Sequence, residues 1–145
     1  MQDKNKFEIS KSEKQLSISF SSSMDNIDRI DKETRKLLEK ELSDSQIFAV
    51  SLSMREGLTN AIKHGHRSDS DKIIQYTLTS KEDKLIIEIE DQGEGFDWRK
   101  NRKKKPNPEL DHGRGLTIIS EYCSEYSYNE KGNKLKMTIH KSATK

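Results

Sequence analysis

The chain has 145 residues, 30% hydrophobic and 36% charged, with a mean hydropathy of −1.02, which allows one domain and is too short for two well-buried cores. No run approaches the roughly 20 apolar residues that cross a bilayer, and Met1 to Ser12 carries no apolar signal core, so the expected location is cytoplasmic, without a membrane partner. Cys123 is the only cysteine, which excludes an internal disulfide, and six of the positive charges lie between Arg99 and Lys105 while the net charge is only +2; basicity this local, with Trp98 alone at its edge, predicts no direct nucleic-acid binding.

Residues 1–13 read as a flexible tail before a domain over 14–141. Leu16, Ile18 and Phe20 alternate with polar residues, the period of a strand with one buried face. After the serines at 21–23, which can cap a helix, Met24, Ile27, Ile30, Leu37 and Leu38 recur among charges as in an amphipathic helix. Ser43 with Gln46 three residues later forms a capping box, opening a second helix through Ile47, Val50, Met54, Leu58, Ala61 and Ile62 that stops near Gly65. The period then changes to two at Ile74, Tyr76, Leu78 and again at Leu85, Ile87, Ile89, predicting an antiparallel pair. A polar stretch from Gln92 to His112, with Gly93, Gly95, Pro106 and Pro108, is long enough to act as a lid, about residues 96–112. Leu116, Ile119, Tyr122 and Cys123 give a short helical stripe, and residues 125–130 and 134–140 a closing hairpin. This order predicts an α+β, two-layer sandwich, with helices on one face of a mixed, mostly antiparallel sheet.

Three features carry candidate chemistry. On the second helix, Glu56, Asn60 and His64 recur at spacing four, roughly opposite the apolar stripe. Alone, such a row reads as a solvated face, although Glu, Asn and His are not the Lys and Glu that usually fill one. Asp91 follows an apolar strand and precedes Gly93 and Gly95; a strand-end carboxylate can accept from an amino group, and the glycines admit a flat ligand, or form an ordinary turn. His112-Gly113-Arg114-Gly115-Leu116 stands where a helix begins, a phosphate-binding context or simply a glycine-rich helix entry. Neither loop has Walker A or Rossmann spacing.

Taken in order, Glu56-x-x-x-Asn60-Ala61-x-x-His64, Asp91-x-Gly93-x-Gly95-Phe96 and Gly113-Arg114-Gly115-Leu116 resemble the N, G1 and G2 boxes of the gyrase, Hsp90, histidine kinase and MutL (GHKL) ATPases. The resemblance covers nearly the whole chain and is closest to the stand-alone anti-sigma-factor serine/threonine kinases. It implies the Bergerat-type ATP-binding fold, with ATP and Mg²⁺ as cofactors. Asp91 would receive the adenine amino group, Gly93 and Gly95 would seat the ring, and Asn60 would hold Mg²⁺. Gly113, Arg114, Gly115 and Leu116 would cradle the phosphates, and Glu56 would act as general base. His64, beside Gly65, has an equal claim to a capping role.

The implied partners are an antagonist protein carrying a phosphorylatable Ser or Thr and a sigma factor or similar regulator; a homodimer is also compatible. The alternatives are a non-catalytic ATP-dependent binding module and a free-standing histidine-kinase catalytic domain. Two departures from the kinase pattern bear on transfer: Asp111 stands where some relatives carry arginine, and Gly132-Asn133-Lys134-Leu135-Lys136 stands where threonines often follow the glycine.

Overall fold

The computed structural model describes residues 6–65, 72–91, 123–129 and 133–141. The expected lid, the helical stripe before Cys123 and the basic cluster at 99–105 lie outside these residues. The elements in chain order are β1 (Phe7–Lys11), β2 (Gln15–Ser21), a 3₁₀ turn (Met24–Asn26), α1 (Ile27–Leu38), α2 (Asp44–Asn60) continued by a π turn (Ala61–Gly65), β3 (Ile73–Ser80), β4 (Lys84–Asp91), β5 (Glu125–Tyr128) and β6 (Lys134–His140).

The strands form one sheet in the order β1-β2-β3-β4-β6-β5. The expected two layers are present, but every pairing is antiparallel rather than mixed. Connectivity explains this. Two helices lie between β2 and β3, so the chain reverses an odd number of times and β3 returns antiparallel, whereas a single crossover helix would have made it parallel.

The second departure is β1. Residues 7–11, expected in a flexible tail, pair along their whole length with β2, from Phe7 opposite Phe20 to Lys11 opposite Leu16. The signal was weak because most of β1 is exposed, and contacts distant in sequence hold it. The Lys6 amide donates to Ser21 Oγ at 2.8 Å, Lys11 Nζ meets Glu33 at 2.9 Å, and the Arg29 guanidinium sits 3.8 Å over the Phe7 ring.

Alternation within each strand makes the sheet one-sided. Ile18, Tyr76, Ile89 and Leu135 form a single cross-sheet row, all buried against the helices. The opposite face is polar, with Gln15 bonded to Thr79 and Gln75 bridging Ser17 and Ser19. Helix α1 buries Ile27, Ile30 and Leu38 as the pattern predicts, but Met24 lies in the 3₁₀ turn, 45% exposed. In its place the buried side of α1 carries Asp31 and Thr34.

Asp31 anchors α1 to α2. It accepts from Ser51 Oγ at 2.8 Å, from Arg35 Nε at 3.3 Å and from Arg55 at 3.0 and 2.7 Å. Burial would raise its pKa, but the Ser51 and Arg55 hydrogen bonds and the two guanidinium charges prevail and hold it below the ordinary 3.8. A lowered folded-state pKa contributes stability above the unfolded value and loses it as pH falls through the folded one. Asp31→Asn is therefore expected to cost about 2 kcal/mol at neutral pH, discounted because both arginines reach solvent. The deficit should shrink below about pH 4, where unfolded Asp31 takes up its proton. Urea unfolding of both proteins from pH 7 to pH 3 checks this; a deficit independent of pH would contradict it.

Helix α2 opens with the predicted capping box: the Gln46 amide donates to Ser43 Oγ at 3.3 Å, and the Ser43 amide donates to Gln46 Oε1 at 2.8 Å. Gly57 sets how closely α2 approaches the sheet. A Cβ there would lie 2.8 Å from Ile89 Cδ1, 3.1 Å from Met137 Cε and 3.2 Å from Leu135 Cδ2. Glycine costs an exposed helix about 1 kcal/mol relative to alanine, and here it admits three core side chains. Gly57→Val is expected to lose about 2 kcal/mol by overpacking, read as a lower urea midpoint; an unchanged midpoint would show that the three side chains yield freely.

Candidate nucleotide site

The C-terminal end of α2, the end of β4 and the β5–β6 edge converge on one region. Glu56 and Asn60 lie one helical turn apart on α2, about 6 Å along the axis. Glu56 is half-buried and Asn60 is only 8% exposed. The solvated-face reading therefore fails at Asn60, which sits directly before the π turn that carries His64. Turns of this type widen a helix by one residue and recur at functional sites.

Register explains the position of Asp91. Leu85, Ile87 and Ile89 point inward, and two residues further Asp91 continues the same face at the strand end, opposite Ile74 and 7% exposed. It is the first polar residue on an otherwise apolar inner row. Its main chain is held from both sides: the Asp91 amide donates to the Asn133 carbonyl at 2.9 Å, and Asn133 Nδ2 donates to the Asp91 carbonyl at 3.0 Å. Asn129 braces this clamp, because its Oδ1 accepts from the amides of Asn133 at 3.0 Å and Lys134 at 3.2 Å while its Nδ2 donates to Asn133 Oδ1 at 2.8 Å.

Tyr128 joins the two candidate residues. It pairs with Leu135, which pairs with Ile89, so its side chain belongs to the inner face. Its hydroxyl is hydrogen-bonded to the Asn60 side chain and close enough to Asp91 to feel the carboxylate charge. Burial, the neighbouring Tyr126 and Asp91 all push the phenol pKa upward, against the Asn60 hydrogen bond, so Tyr128 stays protonated throughout the neutral range. Just before β5, buried Cys123 is hydrogen-bonded to Ser53 of the same helix, and burial raises its thiol pKa.

Asn60 and Asp91 are thus brought together through Tyr128, with Glu56 one turn back along α2. Gly93, Gly95, Gly113, Arg114, Gly115 and Leu116 lie outside the described residues. Tyr128 and Asn133 were not candidates from the pattern. Tyr128 alternates with Tyr126 like a core residue, and Asn133 stood out only as a departure from the threonines of similar chains. Asn60 offers an amide oxygen, a hard donor of the type that Mg²⁺ accepts when phosphate oxygens complete its shell. Among the described residues, no three His, Cys, Asp or Glu gather as a metal cluster, and no helix is long and apolar enough to cross a membrane.

Known proteins share this fold. A histidine kinase domain from the Erythrobacter litoralis EL346 blue-light activated histidine kinase superposes with a TM-score of 0.51 at 16% identity, covering 85% of this chain and 62% of that one. At that identity the likeness concerns the fold. Among curated relatives, the anti-sigma F factor of Clostridium perfringens (strain ATCC 13124) is 30% identical over 99 residues, 63% of this chain and 71% of that protein. The serine-protein kinase RsbW of Staphylococcus aureus (strain MSSA476) is 31% identical over 97 residues, 60% of this chain and 61% of that protein. The aligned part thus spans under two-thirds of the kinase and of the histidine kinase domain. Residues 20–139 match the histidine kinase-like ATPase domain, a domain type whose ligand is ATP, and since that match takes in both helices and β3 to β6, the chain belongs to the histidine kinase-like ATPase family.

Proposed function

We propose that this protein binds ATP with Mg²⁺, transfers the γ-phosphoryl group to a serine or threonine of a small antagonist protein, and binds a sigma factor or similar regulator. The observation that carries the site reading is the burial of Asn60 one turn from Glu56, with Tyr128 linking it to the strand-end carboxylate Asp91. The names of the 30% identical anti-sigma F factor and the 31% identical serine-protein kinase support the substrate class and partner.

In this reading Asp91 accepts a hydrogen bond from the adenine amino group, and the Asn133 clamp fixes the backbone that aims it. Asn60 Oδ1 would serve as one ligand of Mg²⁺, which when bound would neutralise charge on the phosphates. Glu56 takes the proton of the acceptor hydroxyl as that oxygen bonds to the γ-phosphorus; the bond from the γ-phosphorus to the bridging oxygen breaks, and ADP leaves with that electron pair. Half-burial suits Glu56 to this task, because a base must be reached by the acceptor yet held in place.

Incubation of the purified protein with γ-labelled ATP, Mg²⁺ and a candidate antagonist domain is expected to give an acid-stable phosphoserine or phosphothreonine. Acid-labile label would indicate histidine transfer instead. ATP binding without transfer to any such partner would favour a binding module, a reading to which Asn133 lends support, since its side chain is used on the Asp91 clamp.

A further inference from the structure

Tyr128 has no part in the chemistry above, yet it is the residue through which β5 reaches both α2 and the end of β4. Three observations bear on what it does. Its place in the inner row beside Leu135 and Ile89 directs it at α2. Gly57, three residues before Asn60, lets the helix close on Ile89 and Leu135, which brings Asn60 into the reach of a tyrosine on the neighbouring edge strand. The hydroxyl then bonds to the Asn60 amide, while β5 is held against β6 by its register from Glu125 opposite Thr138 to Tyr128 opposite Leu135 and by the Asn129 brace.

An asparagine amide has two unlike ends, one that donates and one that accepts. A cation needs the oxygen. A side chain buried at the end of a helix can present either end unless something fixes it, and a partner that takes the NH₂ group leaves the oxygen directed the other way. We infer that Tyr128 is a positioning residue for Asn60: its hydroxyl oxygen accepts from Asn60 Nδ2 and so keeps Asn60 Oδ1 turned toward a divalent cation carried by the nucleotide. This rests on the ATP-site reading given above and adds to it a residue specific to metal-dependent binding. Partners that orient a metal ligand from behind typically contribute 10- to 100-fold to metal affinity.

The test compares wild type with Tyr128→Phe, which keeps the ring in the inner row and removes only the hydroxyl. Equilibrium binding of a fluorescent ATP analogue is titrated in Mg²⁺ and again in EDTA, and Mn²⁺ binding to the nucleotide-loaded protein is followed by electron paramagnetic resonance. The expected result is about 10-fold weaker nucleotide binding in Mg²⁺, at the low end of the range for such partners, with binding in EDTA unchanged and Mn²⁺ affinity lowered in parallel. An equal loss with and without metal, or no loss in either, overturns the inference. Tyr128→Leu, expected to behave as Tyr128→Phe if only the hydroxyl matters, guards against a packing effect. Failure of wild type itself to bind the analogue would instead reject the ATP-site reading.

Discussion

Replacing Glu56 by glutamine is expected to lower phosphoryl transfer to the antagonist by about 10²- to 10⁴-fold, the usual contribution of a positioned general base. Affinity for ATP should stay within about threefold, since the substitution removes an interaction made only in the transition state. The reasoning is steric as well as chemical. Glutamine keeps the shape of the half-buried side chain at position 56 and its place one turn before Asn60, but it cannot accept a proton at neutral pH. Single-turnover transfer with γ-labelled ATP, alongside equilibrium binding, separates the two effects. Transfer at the wild-type rate would remove Glu56 from the mechanism, while a parallel loss of binding and transfer would make it a binding residue.

The second large effect is at Asp91. Asp91→Ala is expected to weaken ATP binding by about 100-fold, because a hydrogen bond to a charged, buried acceptor contributes roughly 1.5 to 3 kcal/mol. It should also flatten the preference for adenine. Adenine presents an amino group where guanine presents an oxygen, so a carboxylate there attracts one and repels the other. The variant should therefore bind ATP and GTP with similar affinity, measured by competition against the fluorescent analogue. The substitution leaves the Asn133 clamp in place, since both bonds between Asp91 and Asn133 use the Asp91 main chain. Retained ATP selectivity in a folded Asp91→Ala protein would refute the assignment.

The two predictions rest on parts of the molecule that were unequally visible in the sequence. Helix α2 was legible at both ends and along its face: the Ser43 and Gln46 box, the apolar stripe and the row containing Glu56 and Asn60 all follow from spacing within a few residues. The strands β2, β3, β4 and β6 were equally legible, because a one-sided sheet imposes a period of two. In contrast, β1 went unread, since its exposed residues carry little alternation and its partners are elsewhere in the chain. Asp31 was also hidden, being one more acid in a charged helix until Ser51 and Arg55 of α2 close over it.

Local periodicity, capping and motif order were thus sufficient to determine the two-layer α+β class, the helix that bears Glu56 and Asn60, and the strand end that bears Asp91. Only the tertiary structure decided that the sheet is antiparallel throughout, that β1 belongs to it, and that Tyr128 and Asn133 bind the site together. The reason is range. A hydrophobic period repeats every two to four residues and is written in any short window, whereas the Asp91 to Asn133 clamp joins positions 42 residues apart, and its asparagine has no meaning until the β5–β6 hairpin folds back against β4.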